Sequence, residues 1–287
     1  MKMSIELKNV TKTYGGVRAL DSVSVKFGGG LVYGLLGANG AGKTTMLNII
    51  TNRIYADSGE VLIDGESAPG NDRALGKVYM MAEANLFPDS MRVEPALRLT
   101  AQFYPGFDMD YALDVARKFE LPLKKKVKAL STGYSSIFRL TLALSCNTPY
   151  VIYDEPVLGL DAQHRDLFYR LLMEKCAEGE QTAILSTHLI QEAANLINHA
   201  VIIKKGRIIR DAPVEELSSA AHTVSGPAAL VDAYIAGRKL LSVNAIGGLK
   251  TASVEGEPDA GAPAGLEISG IGLQDYFIGL MNEEEGK

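Results

Sequence analysis

Gly37-Ala38-Asn39-Gly40-Ala41-Gly42-Lys43-Thr44-Thr45 is the stretch whose reading decides the fold. An apolar run, Leu31-Val32-Tyr33-Gly34-Leu35-Leu36, precedes it, and Met46-Leu47-Asn48-Ile49-Ile50 follows with helical character. Strand, glycine-rich loop and helix, in that order, are the context in which such a motif cradles phosphate. Glycines let backbone N–H groups turn inward toward β- and γ-phosphates, and the helix N-terminus adds the positive end of its dipole. Lys43 supplies a point charge and Thr44 a hydroxyl suited to Mg2+. Gly37, Asn39, Gly40, Gly42, Lys43, Thr44 and Thr45 are therefore candidate ligands of a nucleoside triphosphate, ATP or GTP.

A second stretch bears on what becomes of the nucleotide. Tyr150-Val151-Ile152-Tyr153 is a short apolar run of high β-propensity that ends in Asp154-Glu155-Pro156. In parallel α/β sheets, ligands bind outside the carboxyl ends of the strands, where this run delivers two adjacent carboxylates. Asp154 is suited to hold Mg2+, directly or through water, and Glu155 to polarise an attacking water. Adjacent acids also occur at solvated turns. Downstream of a phosphate loop, hydrolysis is the expectation.

Further motifs follow in fixed order. Leu130-Ser131-Thr132-Gly133-Tyr134 opens a helix expected over residues 135–144, Gly159-Leu160-Asp161 follows the carboxylate pair, and Ser186-Thr187-His188 ends the apolar run Ala183-Ile184-Leu185. Over about residues 4–217 this series resembles the nucleotide-binding subunit of ATP-binding-cassette (ABC) transporters. The resemblance implies an ATPase that uses ATP and Mg2+ and powers transport through separate membrane-spanning permease subunits. A second ATP-binding subunit, identical or related, would close over two ATP molecules. The protein would then lie on the cytoplasmic face of the membrane through its permease.

Roles follow from the resemblance, residue by residue. Tyr14 matches the aromatic on which adenine stacks, and Ser131 and Gly133 match the signature that meets the γ-phosphate bound to the opposite subunit. Asp161 matches the loop that communicates between the two sites, and His188 the switch histidine that hydrogen-bonds the γ-phosphate. Two positions depart from the family pattern. Thr132 and Tyr134 replace the first glycine and the glutamine of Leu-Ser-Gly-Gly-Gln, and a β-branched residue could restrict approach to phosphate. The family's Mg2+-touching glutamine aligns with Ala82, with Glu83 beside it as a substitute. These departures leave open a slow-turnover nucleotide-binding scaffold, and a second alternative, independent of them, is a soluble ABC ATPase of DNA repair or translation. Against the second, the chain shows no coiled-coil insertion and no second cassette.

Composition is compatible with this reading. At 287 residues and 47% hydrophobic content, the chain can bury a large core. No apolar run reaches the length of a membrane span, and the start, Ser4-Ile5-Glu6-Leu7, reads as strand rather than signal peptide. A net charge of −5 argues against a nucleic-acid partner. Lys124-Lys125-Lys126-Val127-Lys128 is a basic exception and reads as a solvated loop. Cys146 and Cys176 have no metal-ligand spacing and read as reduced structural thiols, with Cys146 expected inside a buried helix.

The expected architecture is α/β: a P-loop ATPase core with an antiparallel β subsheet and a helical subdomain, over residues 1–217, plus a small C-terminal α/β extension, 218–287. Alternating runs at 4–10, 23–27 and 61–63 supply the subsheet, and helical periods over about 94–145, broken at Pro105-Gly106 and Leu121-Pro122, supply the subdomain. A helix over 162–177 lies between the strands at 150–153 and 183–186, and a hairpin turns at Lys205-Gly206. In the extension, Pro227 and Gly237 bracket a short helix, 240–246 and 249–254 read as strands, and Leu273, Tyr276, Phe277, Leu280 and Met281 recur at helical spacing. No site chemistry is legible there; a structural cap, a dimer contact or regulation are its expected uses.

Overall fold

The computed structural model describes residues 3–81, 86–177, 181–259 and 263–282. Three sheets organise these residues. The first is antiparallel and contains β1 (Ser4–Tyr14), β2 (Val17–Gly28), β4 (Ser58–Ile63) and β5 (Glu66–Ser67), in the order β2-β1-β4-β5. The second contains β3 (Val32–Leu36), β6 (Val78–Met81), β7 (Tyr150–Asp154), β8 (Thr182–Ser186), β9 (His199–Lys204) and β10 (Arg207–Pro213). Its order is β10-β9-β3-β8-β7-β6, parallel except for the edge strand β10. The third contains β11 (Ala221–Pro227), β12 (Leu240–Ile246), β13 (Leu249–Glu255) and β14 (Glu267–Gly270), antiparallel in the order β12-β13-β11-β14.

The parallel sheet is apolar on both faces, as strands covered on both sides must be. Alternation along each strand assigns side chains to opposite layers. Val32 and Leu36 of β3, Val151 and Tyr153 of β7, and Ala183 and Leu185 of β8 join a core shared with the helices. Tyr33 and Leu35, Tyr150 and Ile152, and Ile184 join a second core against the antiparallel sheet. That second core also takes Met46, Leu47, Ile49 and Ile50 from α1 (Lys43–Ile50), the helix after the glycine-rich loop.

After the short α2 (Asp72–Leu75), the helical block is α3 (Val93–Phe103), α4 (Met109–Lys118) and α5 (Thr132–Ser145). Helices α3 and α4 stop before the expected breaks at Pro105-Gly106 and Leu121-Pro122. Asp108 starts α4 by accepting a hydrogen bond from Tyr111 N at 2.9 Å. Helix α5 begins three residues earlier than its apolar period suggests, because Ser131 caps it. Cys146 is not inside that helix but caps its C-terminus, fully buried. Burial pushes the Cys176 thiol up to about 11 and the Cys146 thiol up as well, so neither is primed as a nucleophile.

Two helices follow in the core, α6 (Ala162–Ala177) and the single turn α7 (Ile190–Ala193). Helix α8 (Val214–Ser219) leads into the third sheet, where α9 (Ala228–Ile235) covers one face. Val224, Val231, Tyr234, Ala252 and Val254 form a small core of their own there. His222 is buried in it, with Nδ1 2.7 Å from Gly256 O and Nε2 2.8 Å from Tyr234 OH, a fully partnered structural histidine. The last helix, α10 (Leu273–Asn282), leaves that core. Its Leu273, Tyr276 and Leu280 join the large core of the parallel sheet instead.

Candidate nucleotide site

The glycine-rich loop connects β3 to α1, and its conformation depends on Gly42. That residue adopts φ +112°, and a Cβ there would lie 2.5 Å from Ala19 O and 2.9 Å from Leu20 Cδ2. No side chain caps α1, so its first N–H groups are left for another acceptor. Lys43 is buried, and its Nζ donates to Gly37 O at 2.6 Å and Ala38 O at 3.2 Å. Desolvation lowers its pKa, while Glu155 and Asp154 pull the other way. A buried ammonium curled around carbonyls and facing two carboxylates is arranged for an anion. Gly40 adopts φ +79° with open space around it, and Asn39 beside it is exposed.

The sheet brings four further groups to the same edge. Strands β3, β7 and β8 run parallel and end together at Leu36, Asp154 and Ser186. Thr44 Oγ1 donates to Asp154 Oδ2 at 3.1 Å. Asp154 Oδ1 is buried without a partner among the described residues, and so is Ser186 Oγ on the neighbouring strand. Two such orphans beside a threonine hydroxyl form a set of hard oxygen donors that fits Mg2+ with its water shell.

Glu155 follows directly and carries a left-handed backbone, φ 47°, uncommon for a non-glycine residue. Its N–H donates to Ser186 O at 2.9 Å, which pins that conformation to β8. Strain of this kind costs of order 1–3 kcal/mol and concentrates at functional sites. His188 sits two residues beyond β8 and places Nδ1 2.7 Å from Glu155 Oε2. The ring N–H donates and the carboxylate accepts. A cleft of about 530 Å3 opens alongside, and Thr44, Asp154, Glu155, Arg53 and Arg139 are among the residues that line it.

The remaining sequence candidates fall elsewhere. Tyr14 ends β1 with about half its surface exposed, 48%, and Lys12 Nζ lies 5.5 Å from its ring centroid. Ser131 and Gly133 stand at the start of α5, where Ser131 Oγ accepts from Tyr134 N at 3.3 Å. This helix start is fastened to the loop after Glu155. Ser136 Oγ donates to Leu158 O at 2.8 Å. Gly159, at φ +80°, lies so close that a Cβ on it would stand 3.1 Å from Thr132 Cγ2. The Thr132 methyl is thus occupied within its own chain. Asp161 accepts from His164 N and lies against His164 Nδ1, both at 2.9 Å. Those bonds, the backbone one foremost, hold its carboxyl below its usual range. Ala82 and Glu83 lie outside the described residues.

Sequence reasoning quoted Ser186 and Gly159 as motif members without giving them a role, and it passed over the two arginines. Ser186 had a signal, a hydroxyl at the end of an otherwise apolar strand beside the carboxylate strand. The arginines had none, because only the fold brings residues 53 and 139 to one cleft.

Known proteins settle the class. Residues 20–158 match the ABC transporter family model. The ABC transporter ATP-binding protein YtrB of Bacillus subtilis is 30% identical over 213 residues, covering 74% of this chain and 73% of that protein. The Nod factor export ATP-binding protein I of Ralstonia nicotianae is 34% identical over 223 residues, 74% of this chain and 68% of that one. Among solved structures, the ATP-binding subunit of an ABC transporter superposes with a TM-score of 0.67 at 25% identity, over 74% of this chain and 91% of that one. A dimeric ATP-binding cassette in a post-hydrolysis state, bound to ADP and Pi, superposes at 0.65 and 26%, over 73% and 98%. The chain belongs to the ABC transporter family. Within it, the protein is an ATP-binding, ATP-hydrolysing component of a transporter.

Proposed function

We propose that this chain, with a second copy or a close relative, forms the ATP-driven motor of a transporter whose membrane-spanning permease is a separate polypeptide. Residues 1–217 are the ATP-binding domain, with the helical subdomain at about 94–145, and residues 218–287 are an extension. The observation that carries the reading is the convergence of Lys43, Thr44, Asp154, Glu155 and His188 at one end of the parallel sheet.

In this reading Tyr14 stacks on adenine, and residues 37–45 wrap the phosphates, with Lys43 turning from its loop carbonyls toward the β- and γ-oxygens. Thr44 and Asp154 hold Mg2+, which when bound neutralises charge on the transferring phosphoryl group. Glu155 accepts hydrogen bonding from the attacking water and draws its proton as the water oxygen bonds to the γ-phosphorus. The bond to the β–γ bridging oxygen breaks, leaving ADP and phosphate. His188, which lies against Glu155, exchanges that partner for the γ-phosphate.

Ser131 and Gly133 complete the site of the opposite copy, and Asp161 lies at the seam. The supporting observations are that Ser131 and Gly133 stand at the N-terminus of α5 and that a related cassette is dimeric. ATP then favours the closed pair because it contacts both copies only there. No helix among the described residues is long and apolar enough to cross a membrane, and the permease is proposed as a separate chain. Affinity purification from detergent-solubilised membranes tests this. A membrane-spanning polypeptide should accompany the chain in stoichiometric amount. Recovery only with soluble partners would favour the ATPase uncoupled from transport.

A further inference from the structure

The switch histidine is followed by a helix that cannot hold itself in place. Helix α7 is a single turn, too short to be stable alone, and its N-cap position is Leu189, which offers no acceptor. The first N–H groups of that turn therefore need outside partners. Thr187 Oγ1 accepts from Leu189 N at 3.0 Å, a local turn. Gln191 N donates instead to Gln274 Oε1 at 3.0 Å, 83 residues away on α10. Arg165 of α6 adds an ion pair to Glu192 at 3.3 Å on the other side.

Helix α10 is itself firmly set. Leu273, Tyr276 and Leu280 are buried in the large core. Arg210 Nε donates to Tyr276 OH at 3.1 Å, and Lys204 Nζ donates to Leu280 O and Met281 O, both at 3.0 Å. A cation on the last carbonyls is the favourable end of the helix dipole. Both fastenings come from the hairpin of β9 and β10, which ties α10 to the parallel sheet while the helix also packs on β12. Gln274 in its first turn is presented to α7 from a fixed base.

We infer that Gln274, in the C-terminal extension, serves as the missing N-cap of α7 and so positions His188 for ATP hydrolysis. The inference rests on the reading of His188 given above. It gives the extension a role in the reaction without any group of its own touching nucleotide; Gln274 is a positioning residue. Losing the acceptor loosens the turn that directly follows the histidine and anchors its loop, and leaves the phosphate loop intact.

Steady-state hydrolysis and ATP affinity of four single variants of the full chain test this. Gln274→Ala should lower kcat about fivefold, the effect of one lost helix cap, with ATP affinity unchanged. Gln274→Glu keeps a carboxyl oxygen as acceptor and should restore kcat. Tyr276→Phe removes the Arg210 bond to α10 but not the cap, and should hydrolyse at the wild-type rate. His188→Ala should be almost inactive. Wild-type kcat in Gln274→Ala, or equal losses in the Ala and Glu variants, would overturn the inference while leaving the His188 reading standing. A Tyr276→Phe variant as slow as Gln274→Ala would overturn it too, by making the effect a general loosening of α10. Full activity in His188→Ala would remove the reading on which the inference depends.

Discussion

The two phosphate-facing regions of this chain are built on opposite plans. At the cradle, Lys43 has loop carbonyls and two carboxylates, Thr44 has Asp154, and Glu155 has His188, all within one chain. At the start of α5, among the described residues, Ser131 bonds within its own helix, Gly133 lies against Gly159, and Ser136 reaches Leu158. The cradle holds buried charge and oxygens that have no partner among the described residues. The helix start holds no charge and is braced mechanically against the loop that carries Glu155. One region is arranged to bind, the other to be met and to transmit.

The largest expected effect separates chemistry from binding at the cradle. Glu155→Gln keeps the shape but removes the base, so hydrolysis should fall by about 10²-fold or more while ATP affinity holds. Phosphate release in single turnover checks the first half and calorimetry the second. Lys43→Ala should act the other way round. Loss of a charge-assisted contact, about 1.5–3 kcal/mol, weakens ATP binding roughly 10- to 100-fold with the fold retained. Equal affinity in mutant and wild type would remove Lys43 from the phosphate site.

Smaller effects belong to the braced region. Gly159→Ala places a Cβ beside Thr132 Cγ2 on a left-handed backbone, and should destabilise the protein by about 1–3 kcal/mol. A thermal melt checks this, and an unchanged midpoint would mean the brace yields freely. Thr132→Gly is the mildest. With the methyl already occupied by the Gly159 backbone, its removal should cost up to about 1 kcal/mol and give no gain in hydrolysis. A faster mutant would instead show the methyl obstructing phosphate from the opposite copy.

The sequence made the cradle legible because its chemistry is local. Glycines, lysine and threonine lie within nine residues, and the flanking runs have the strand and helix character that the structure contains at β3 and α1. Asp154 and Glu155 were legible for the same reason, at the end of an apolar strand. The helical block and its breaks at Pro105 and Pro122 were readable from period and proline alone. What escaped was non-local. Strand β11 carries Ser225, Gly226 and Pro227, a composition that reads as turn, and it becomes a central strand only because β13 and β14 pair with both its edges. The return of α10 to the large core was invisible too. Its apolar spacing announces a helix but not the surface it covers.

The central claim is that ATP lies between two copies, bound by the cradle of one and met by Ser131 and Gly133 of the other. Light scattering on the Glu155→Gln variant with saturating ATP and Mg2+ tests it most directly, because that variant should hold nucleotide without consuming it. The account predicts a particle of twice the chain mass that reverts to monomer when ATP is withdrawn. A monomer throughout, with nucleotide demonstrably bound, would contradict it.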